Sequence, residues 1–160
     1  MINVLKTANK EENYRLMTTT IALTLEEEKD IIANLSNISS IINSYMDDLN
    51  WSGFYILKNE DLVLGPFQGN PACIRIKNGK GVCFSAVNNK NSVLVPNVHE
   101  FEGHIACDSS TNSELVVPIF KGDEVWGVID LDSPLLNHFT ELEQKYIEEI
   151  AGLISKKGEF

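Results

Sequence analysis

The stretch that decides the fold is His104–Asp132, which reads HIACDSSTNSELVVPIFKGDEVWGVIDLD. Its first part is polar and irregular and carries Cys107. Its second part contains two apolar runs, residues 115–120 and 125–132, which are joined by the turn KGDE and predict an antiparallel hairpin. Three carboxylates lie in these strands: Glu114, Asp130 and Asp132. A thiol beside several acids suggests cysteine chemistry in which another group must be protonated.

The acids of this hairpin are predicted to share one face of the sheet. Asp130 and Asp132 alternate with aliphatic residues, and a strand sends alternate side chains to opposite faces. If the aliphatic residues meet the core, both aspartates face away from it, and Glu114 at the start of the partner strand can join them. A solvated outer face is the alternative interpretation. The nearby thiol favours a pocket, in which crowded carboxylates raise each other's pKa until one can donate a proton.

Outward from the hairpin, the N-terminal part of the chain is predicted to be helical. Glu11–Ala22 is a plausible first helix, because its apolar residues recur at helical spacing. A second helix is predicted to begin at Thr24, which forms a capping-box pattern with Glu27. Its wide apolar stripe extends from residue 31 to residue 49 at the 3.6-residue period, which indicates that the helix packs on a sheet or on another helix.

The last helix carries the same start signal. Thr140 and Glu143 repeat the capping-box pattern, and an apolar stripe follows as far as Leu153. Between the terminal helices, runs of period two bounded by turn residues predict short strands. Besides the two strands of the hairpin, the predicted strands are residues 51–57, 62–68, 72–76 and 92–95, and a small helix is predicted over residues 82–89.

These elements predict one α+β domain over residues 1–160. Hairpins make the sheet of about six strands mainly antiparallel, and the N- and C-terminal helices must cover one of its faces. The other face is left to two segments that carry the cysteines, residues 66–91 and 97–113, which we call the roof. Residues 97–113 show no periodicity, and irregular loops of that length are often functional. A ligand pocket between sheet and roof follows as a hypothesis.

Composition excludes several classes of protein. With 13 basic and 23 acidic residues, the net charge of −10 disfavours a nucleic-acid partner, which needs a clustered basic surface. No apolar run approaches the length of a membrane helix, and the N-terminus lacks the apolar core of a secretory signal. The cytoplasm is therefore the expected location, without a membrane partner.

The three cysteines are Cys73, Cys83 and Cys107. Their number is odd, their spacing is wide and no CxxC motif occurs, so a structural zinc site is a poor interpretation and no metal is expected. In a reducing cytoplasm the remaining choice lies between buried, inert thiols and redox-active ones. The spacing of the cysteines does not decide between these two readings.

Aromatic and histidine side chains leave further alternatives open. Trp51 and Tyr55 lie four residues apart on the first strand and therefore share a face, either as core residues or as a small apolar cage for a ligand. His99 and His104 precede Cys107 and invite a Cys–His nucleophile, although no third orienting group is visible. Loop packing or hydrogen bonding is the simpler role for both histidines.

At this point the motifs resemble a known family. The segments GPFQGNPACIRI, GKGVC, VPNVHEFEGHIACDSSTNSELVVPI and GVIDLDSP together resemble the free methionine-(R)-sulfoxide reductases, which are stand-alone GAF domains. The resemblance covers most of the chain, from the predicted second helix to the last helix. It implies a single GAF domain and the thioredoxin-dependent reduction of free methionine (R)-sulfoxide, a product of oxidative stress, without a cofactor.

The resemblance also implies roles for the cysteines. Cys107 is expected to attack the sulfoxide sulfur, which releases methionine and leaves a sulfenic acid on the cysteine. Cys73 is expected to resolve that sulfenic acid into a disulfide, which thioredoxin then reduces. Cys83 is the auxiliary thiol, so either Cys73 or Cys83 remains possible as the main resolving residue. Two residues depart from the family pattern, Phe84 beside Cys83 and Trp126; both are expected to alter packing near the pocket, and Phe84 bears on the role of Cys83.

The remaining site residues follow from the same resemblance. The three acids of the hairpin, Glu114, Asp130 and Asp132, match those that bind and protonate the sulfoxide oxygen, and Trp51 and Tyr55 match the aromatic residues of the substrate pocket. A homodimer through the terminal helices is implied. The alternative function is that of a GAF-type sensor, which would bind a small molecule or signal oxidation without turnover.

Overall fold

The computed structural model describes residues 4–105 and 107–160. Four helices, six strands and one short 3-10 helix follow one another along these residues. The helices are α1 (Lys10–Glu27), α2 (Ile31–Tyr45), α3 (Gly81–Asn89) and α4 (Glu141–Lys157), and the 3-10 helix is Val98–Glu100. The strands are β1 (Trp51–Lys58), β2 (Asp61–Gly69), β3 (Arg75–Ile76), β4 (Val93–Val95), β5 (Ser113–Lys121) and β6 (Glu124–Ser133).

The six strands form one sheet in the order β3-β2-β1-β6-β5-β4. Every neighbouring pair is antiparallel, and β1–β2 and β5–β6 are the two hairpins that the turns predict. The central pairing joins β1 to β6 and so brings the first hairpin beside the last. The prediction of an α+β fold with a mainly antiparallel sheet of about six strands is confirmed.

Helices α2 and α4 cover one face of the sheet, and α1 packs against both of them. Their apolar stripes pack with alternate residues of the central strands, which places Phe54, Ile129 and Leu131 in the same core as the helices. Burying this face is the main source of stability for elements that are short by themselves. It also fixes the register, because a slip of one residue would turn the buried residues outward.

A second, smaller core lies on the opposite face. Trp51, Tyr55, Val116 and Val128 point to this side, and the small helix α3 packs on them. The residues that alternate with the helical core therefore form the floor of a separate compartment, which the predicted roof covers.

The prediction of one helix from Thr24 to residue 49 is wrong. Thr24 lies inside α1, where its hydroxyl donates to the carbonyl of Thr20 at 2.9 Å instead of capping a new helix. The chain breaks after Glu27, and α2 begins at Ile31 with Asp30 as its N-cap, whose carboxylate accepts from the N–H of Ala33 at 2.9 Å. The predicted start lies six residues before the observed N-cap, because aspartate caps a helix as well as threonine does.

The second capping-box prediction is confirmed. Thr140 caps α4 and Glu143 bonds back to the N–H of Thr140 at 2.8 Å. Glu143 is fully buried and also contacts Lys10 at 2.6 Å and Tyr14 at 2.9 Å, so that it ties α1 to α4. Among the described residues, no helix combines the length and the apolar character needed to cross a membrane.

Candidate active site

The central strands bring the acids of the sequence motif together. In the strand register, Asp132 pairs with Trp51 on one side and with Glu114 on the other, and Asp130 pairs with Gly53. Three adjacent strands thus place these side chains on one face, opposite to the helical core. Glu114 and Asp130 are each only 6% exposed, so the face is a buried floor and not a solvated surface.

A small cavity of about 30 Å³ lies between this floor and the roof. That volume accommodates about one water molecule. The three acids of the floor, two cysteines and one histidine line it, together with residues of α3 and of the loop before β5. The lining residues are Ile76, Gly81, Val82, Cys83, His104, Ile105, Cys107, Asp108, Thr111, Glu114, Asp130 and Asp132.

Two of the three cysteines are joined. Cys73 and Cys107 form a disulfide with 5.4 Å between their Cα atoms, although 34 positions separate them in the sequence. The bond connects the two roof segments directly above the acids. Cys83 is free and buried on α3, where it borders the same cavity.

The acids of the floor favour their protonated forms. Burial, followed by the charges of Asp130 and Asp132, raises the pKa of Glu114 well above its ordinary value. Burial also raises the pKa of Asp130 to about 7, although hydrogen bonds from Cys83 and Glu114 oppose the change. For Asp132, burial and then the charge of Asp130 raise the pKa well above its ordinary value. The cluster therefore retains protons near neutral pH.

No cation compensates these acids within the described cavity lining, which contains neither lysine nor arginine. The nearest basic group is the imidazole of His104, whose Nε2 lies 3.7 Å from Oε2 of Glu114. Burial and then the charge of His99 lower the pKa of His104, so its ring is neutral at pH 7. His104 can therefore accept or pass on a proton but does not hold Glu114 as an anion.

Cys83, Glu114 and Asp130 are close enough to be considered as metal ligands. One sulfur or oxygen atom of each lies within 4.8 Å of the others. Burial raises the pKa of all three groups, so they can hold protons at this distance from one another without a cation. Burial, followed by the charge of Asp130, also raises the pKa of the Cys83 thiol. Cys83 is therefore protonated at neutral pH.

Two polar atoms of the floor have no hydrogen-bond partner. Oδ1 of Asp130 and Nε1 of Trp51 are both buried and unpaired among the described residues. A buried polar atom without a partner costs roughly 1–3 kcal/mol. Of these two residues Asp130 lines the cavity, so its oxygen is available to a polar ligand.

The predicted aromatic residues lie on the expected face but behind the cavity. The ring of Trp51 stacks between Phe67 and Tyr55, with centroid distances of 5.3 and 5.8 Å. Neither Trp51 nor Tyr55 lines the cavity. The hydroxyl of Tyr55 instead donates to the backbone carbonyl of Cys73 at 2.9 Å, which anchors the first roof segment to the sheet.

Sequence reasoning missed the group that shapes the loop around Cys107. The carboxylate of Asp108 accepts from the N–H of Ser110 at 2.8 Å and from the amide of Asn50 at 3.3 Å. Hydrogen bonds from Ser110 lower the pKa of Asp108, which therefore remains an anion beside the protonated acids. The signal in the sequence is the Asp-Ser-Ser pattern of an Asx turn directly after the cysteine.

His99, Phe84 and Trp126 lie away from the cavity. The ring of His99 bonds to the side chain of Asn112 at 2.8 Å and does not line the cavity, which leaves His104 as the histidine near the acids. Phe84 is buried in the smaller core, and Trp126 packs against Phe160 with ring centroids 4.3 Å apart. The two departures from the family pattern therefore do not reach the cavity.

This chain is similar in sequence to a known domain family and to characterised proteins. The family model described as GAF domain matches residues 30–157. Protein YtsP of Bacillus subtilis is 42% identical over 153 residues, which cover 94% of this chain and 94% of that protein. The free methionine-R-sulfoxide reductase of Escherichia coli is 38% identical over 148 residues, which cover 92% of this chain and 90% of the relative.

A solved structure extends the similarity to three dimensions. The free methionine-R-sulfoxide reductase from Neisseria meningitidis, in complex with its substrate, superposes with a TM-score of 0.94 at 36% identity. The match covers 98% of this chain and 95% of that one. The fold is therefore shared along almost the whole length of both chains.

Proposed function

We propose that this chain, which belongs to the GAF domain family, is an oxidoreductase that reduces free L-methionine (R)-S-oxide to L-methionine. One observation carries the proposal: Cys107, which is joined to Cys73, lines a cavity with the buried acids Glu114 and Asp130 and the half-buried Asp132, and the described lining holds no lysine or arginine. Relatives that bear the name of this activity match more than nine-tenths of the chain. Roles of the individual residues are part of the proposal.

The first step is nucleophilic attack by the thiolate of Cys107 on the sulfoxide sulfur. The sulfur–oxygen bond of the substrate breaks, methionine leaves and the oxygen passes to Cys107 as a sulfenic acid. A sulfoxide oxygen is a poor leaving group until it is protonated or strongly hydrogen-bonded, so an acid must lie beside the thiol. Glu114, Asp130 and Asp132 line the cavity that Cys107 borders.

The acid cluster suits this task because it is protonated at the pH of the cell. Burial raises the pKa of Glu114 and Asp132 well above ordinary values and that of Asp130 to about 7. A carboxylic acid with such a pKa can donate a proton to the sulfoxide oxygen and regain it from water. The unpaired Oδ1 of Asp130 is a further position for a polar group of the substrate.

The acids also disfavour a thiolate, so the nucleophile needs a compensating positive charge. A free amino acid supplies this charge with its own α-ammonium group. Within the described cavity lining no lysine or arginine can do so. We therefore assign the activation of Cys107 to the bound substrate, which also explains a preference for the free amino acid over a residue in a protein chain.

The second step is resolution of the sulfenic acid. The thiol of Cys73 attacks the sulfur of Cys107, water leaves and the disulfide forms, with Cys83 as an auxiliary thiol at the cavity wall. Thioredoxin then returns both cysteines to thiols by supplying two electrons and two protons. In the disulfide form Cys107 has no free thiol, so reduction must precede the next attack on substrate.

The proposal also covers the location, the domain organisation and the oligomeric state of the protein. We assign the protein to the cytoplasm, where thioredoxin is available, as one GAF domain over residues 1–160 that pairs as a homodimer through its terminal helices. No metal and no dissociable cofactor take part in the two steps. Protection of the free methionine pool under oxidative stress follows from the reaction.

A sensor is the second candidate. The same disulfide could report oxidation without turnover, and GAF folds of low identity include domains of phosphoenolpyruvate-protein phosphotransferases. These neighbours are 14% and 17% identical and show only a shared fold. The buried, protonated acids favour the enzyme, because a disulfide signal by itself does not require a proton donor.

A coupled assay tests the function. Thioredoxin, thioredoxin reductase and NADPH are mixed with the protein and with free methionine (R)-sulfoxide, free (S)-sulfoxide or a peptide that contains oxidised methionine. We expect NADPH consumption with the free R epimer and only background consumption with the other two. A protein that binds the R epimer but consumes no NADPH and releases no methionine would be a sensor.

A further inference from the structure

The most exposed large hydrophobic residue among those that the structure describes lies next to the disulfide. Ile74 directly follows Cys73 and is 78% exposed. Scattered exposed apolar residues are normal on protein surfaces. The position of this one, beside a bond that must be reduced by another molecule in every cycle, needs a further explanation.

The backbone holds Ile74 in an outward position. The carbonyl of Cys73 accepts from the hydroxyl of Tyr55 at 2.9 Å, and the carbonyl of Ile74 itself accepts from the N–H of Leu64 at 3.0 Å. Strand β3 then begins at the next residue, Arg75. The exposed side chain is therefore presented by a fixed segment, which lowers the entropy cost of forming a contact with it.

The charge around Ile74 differs from that of the whole chain. Residues 70–80, which we call the Cys73 rim, contain three basic residues and no acidic one, whereas the chain carries a net charge of −10. Two described acids contact the rim: Asp61 lies 2.8 Å from Lys77 and 3.3 Å from Arg75, and Asp108 accepts from the amide of Asn70 at 3.4 Å. The rim thus offers an apolar side chain and a positive surface beside the disulfide.

The two sulfur atoms of the disulfide have different surroundings. Cys107 lines the cavity and faces the protonated acids, whereas Cys73 is not part of the cavity lining. An incoming thiolate therefore reaches Cys73 from the rim, and Cys107 is the sulfur that leaves toward proton donors. In thiol–disulfide exchange the attacked sulfur is set by access and by the ease with which the other one leaves.

We propose that the Cys73 rim is the docking surface for the protein dithiol that reduces the enzyme, with Ile74 as its central apolar contact and Cys73 as the sulfur that is attacked. The proposal rests on the proposed function, in which thioredoxin is that dithiol. A small dithiol such as dithiothreitol needs no docking surface. Its rate of reduction is therefore independent of the Ile74 side chain.

Reduction of the disulfide takes two successive thiol–disulfide exchange steps. A thiolate of the reductant attacks Sγ of Cys73, the bond between Cys73 and Cys107 breaks, and Cys107 leaves as a thiolate that takes up a proton. The second thiol of the reductant then attacks its own partner sulfur in the mixed disulfide and releases Cys73 as a thiol. The reductant departs as a disulfide, and two electrons and two protons have passed to the enzyme.

The test measures the reduction of the disulfide form directly, without methionine sulfoxide. Parent protein and Ile74→Glu are mixed with reduced thioredoxin or with dithiothreitol, and free thiols are followed by rapid alkylation and mass spectrometry. We expect the second-order rate with thioredoxin to fall by about tenfold or more in the variant, because a charge replaces a central apolar contact. The rate with dithiothreitol remains at the parent value.

Two control variants sharpen the test. Ile74→Val keeps an apolar contact and is expected to retain most of the thioredoxin rate. Leu5→Glu introduces the same charge at a side chain that is 70% exposed but belongs to the segment bonded to Tyr45 on the helical side, and it leaves both rates unchanged. A parent-like thioredoxin rate in Ile74→Glu overturns the proposal, whether or not the oligomeric state changes. Equal losses with both reductants also overturn it.

A trapping experiment identifies the attacked sulfur. A thioredoxin whose second cysteine is replaced by serine stops at the mixed disulfide, and peptide mapping then locates the bond. The bond is expected at Cys73, and a bond at Cys107 contradicts the assignment. Because neither measurement uses the substrate, a protein that fails to reduce methionine sulfoxide with dithiothreitol refutes the proposed function but leaves the docking result readable.

Discussion

Buried carboxyl groups lie on both faces of the sheet, and their neighbours differ. On the helical face Glu143 is fully buried and contacts the ammonium group of Lys10 at 2.6 Å. It also accepts hydrogen bonds from the hydroxyl of Tyr14 and the N–H of Thr140, at 2.9 and 2.8 Å. Burial would raise the pKa of Glu143, but Lys10, Thr140 and Tyr14 together lower it to about 2.

On the pocket face the acids are almost as buried but face one another. Glu114 and Asp130 are each 6% exposed, and no lysine or arginine lines their cavity within the described residues. Their pKa values are raised, that of Asp130 to about 7. Burial is common to both faces, so it is the nearest donor or cation that decides whether a carboxyl group is ionised.

The contrast has a consequence for stability. A group whose pKa is lowered on folding stabilises the folded state above its ordinary pKa, whereas a group whose pKa is raised destabilises it there. Glu143 thus helps to hold α1 and α4 together, and the floor acids reduce the free energy of unfolding at neutral pH. We infer that these acids are retained, although they lower the free energy of unfolding, because the reaction needs them.

The largest effect is expected from the nucleophile on the pocket face. Cys107→Ser removes the thiolate and the site of the sulfenic acid, so turnover of free methionine (R)-sulfoxide falls to background in the coupled assay. Cys107 lies in a roof segment and not in either core, so the free energy of unfolding of the reduced protein changes little. Normal turnover in this variant would refute the enzyme mechanism.

The next effect concerns the proton donors. Glu114→Gln keeps the shape but removes a transferable proton, and we expect kcat/KM to fall about 100-fold, within the range of general acid catalysis. Stability at pH 7 stays equal or rises, because the variant no longer buries an acid without a cation. Kinetics and denaturant unfolding of the same preparation measure both quantities. A parallel loss of activity and stability would indicate a structural role for Glu114.

The matched change on the helical face has the opposite result. Glu143→Gln leaves the ammonium group of Lys10 without its anion, and we expect a loss of about 2 kcal/mol at pH 7, since hydrogen bonds to charged groups contribute at this level. The contribution is present above pH 4.5 and disappears as the pH falls toward 2, so the difference from the parent shrinks in acid. Urea unfolding at several pH values measures it, and the folded variant retains its kcat. A variant with parent-like stability and reduced kcat would contradict a purely structural role for Glu143.

The smallest effect is a gain in stability. Because the pKa of Asp130 is raised in the folded state, the parent loses stability as the pH rises from about 4 to about 7. Asp130→Asn lacks this loss and is expected to be more stable than the parent by roughly 1 kcal/mol at pH 8, with no gain near pH 3.5. Thermal unfolding across this range measures the difference. The prediction fails if the stability of the variant minus that of the parent is lower at pH 8 than at pH 3.5.

The alternation of apolar and acidic residues in β6 was enough to predict both faces of the sheet. Leu131 and Ile129 lie in the helical core and Asp130 in the floor, because a two-residue period has only two solutions and the helices select one. The capping box at Thr140 was equally readable. Local patterns of this kind depend only on neighbours in the sequence.

Sequence does not predict a feature when a local pattern fits two structures, or when the feature depends on residues that are distant in the chain. Thr24 and Asp30 could each cap a helix, and only packing shows that the chain breaks at Asp30. The bond between Tyr55 and the carbonyl of Cys73 joins different elements and leaves no periodic trace in the sequence. The resemblance to a family implied that Cys73 and Cys107 pair, but the residues alone could not.

The charge states of the two faces can be measured directly. Carbon-13 labelling of the carboxyl groups and an NMR titration of the reduced protein follow Glu143, Glu114, Asp130 and Asp132 individually. We predict that Glu143 titrates near pH 2 and Asp130 near pH 7, with at least one floor acid protonated at neutral pH. If all three floor acids instead titrate at ordinary values near pH 4, they carry no proton to donate, and the account of the site is wrong.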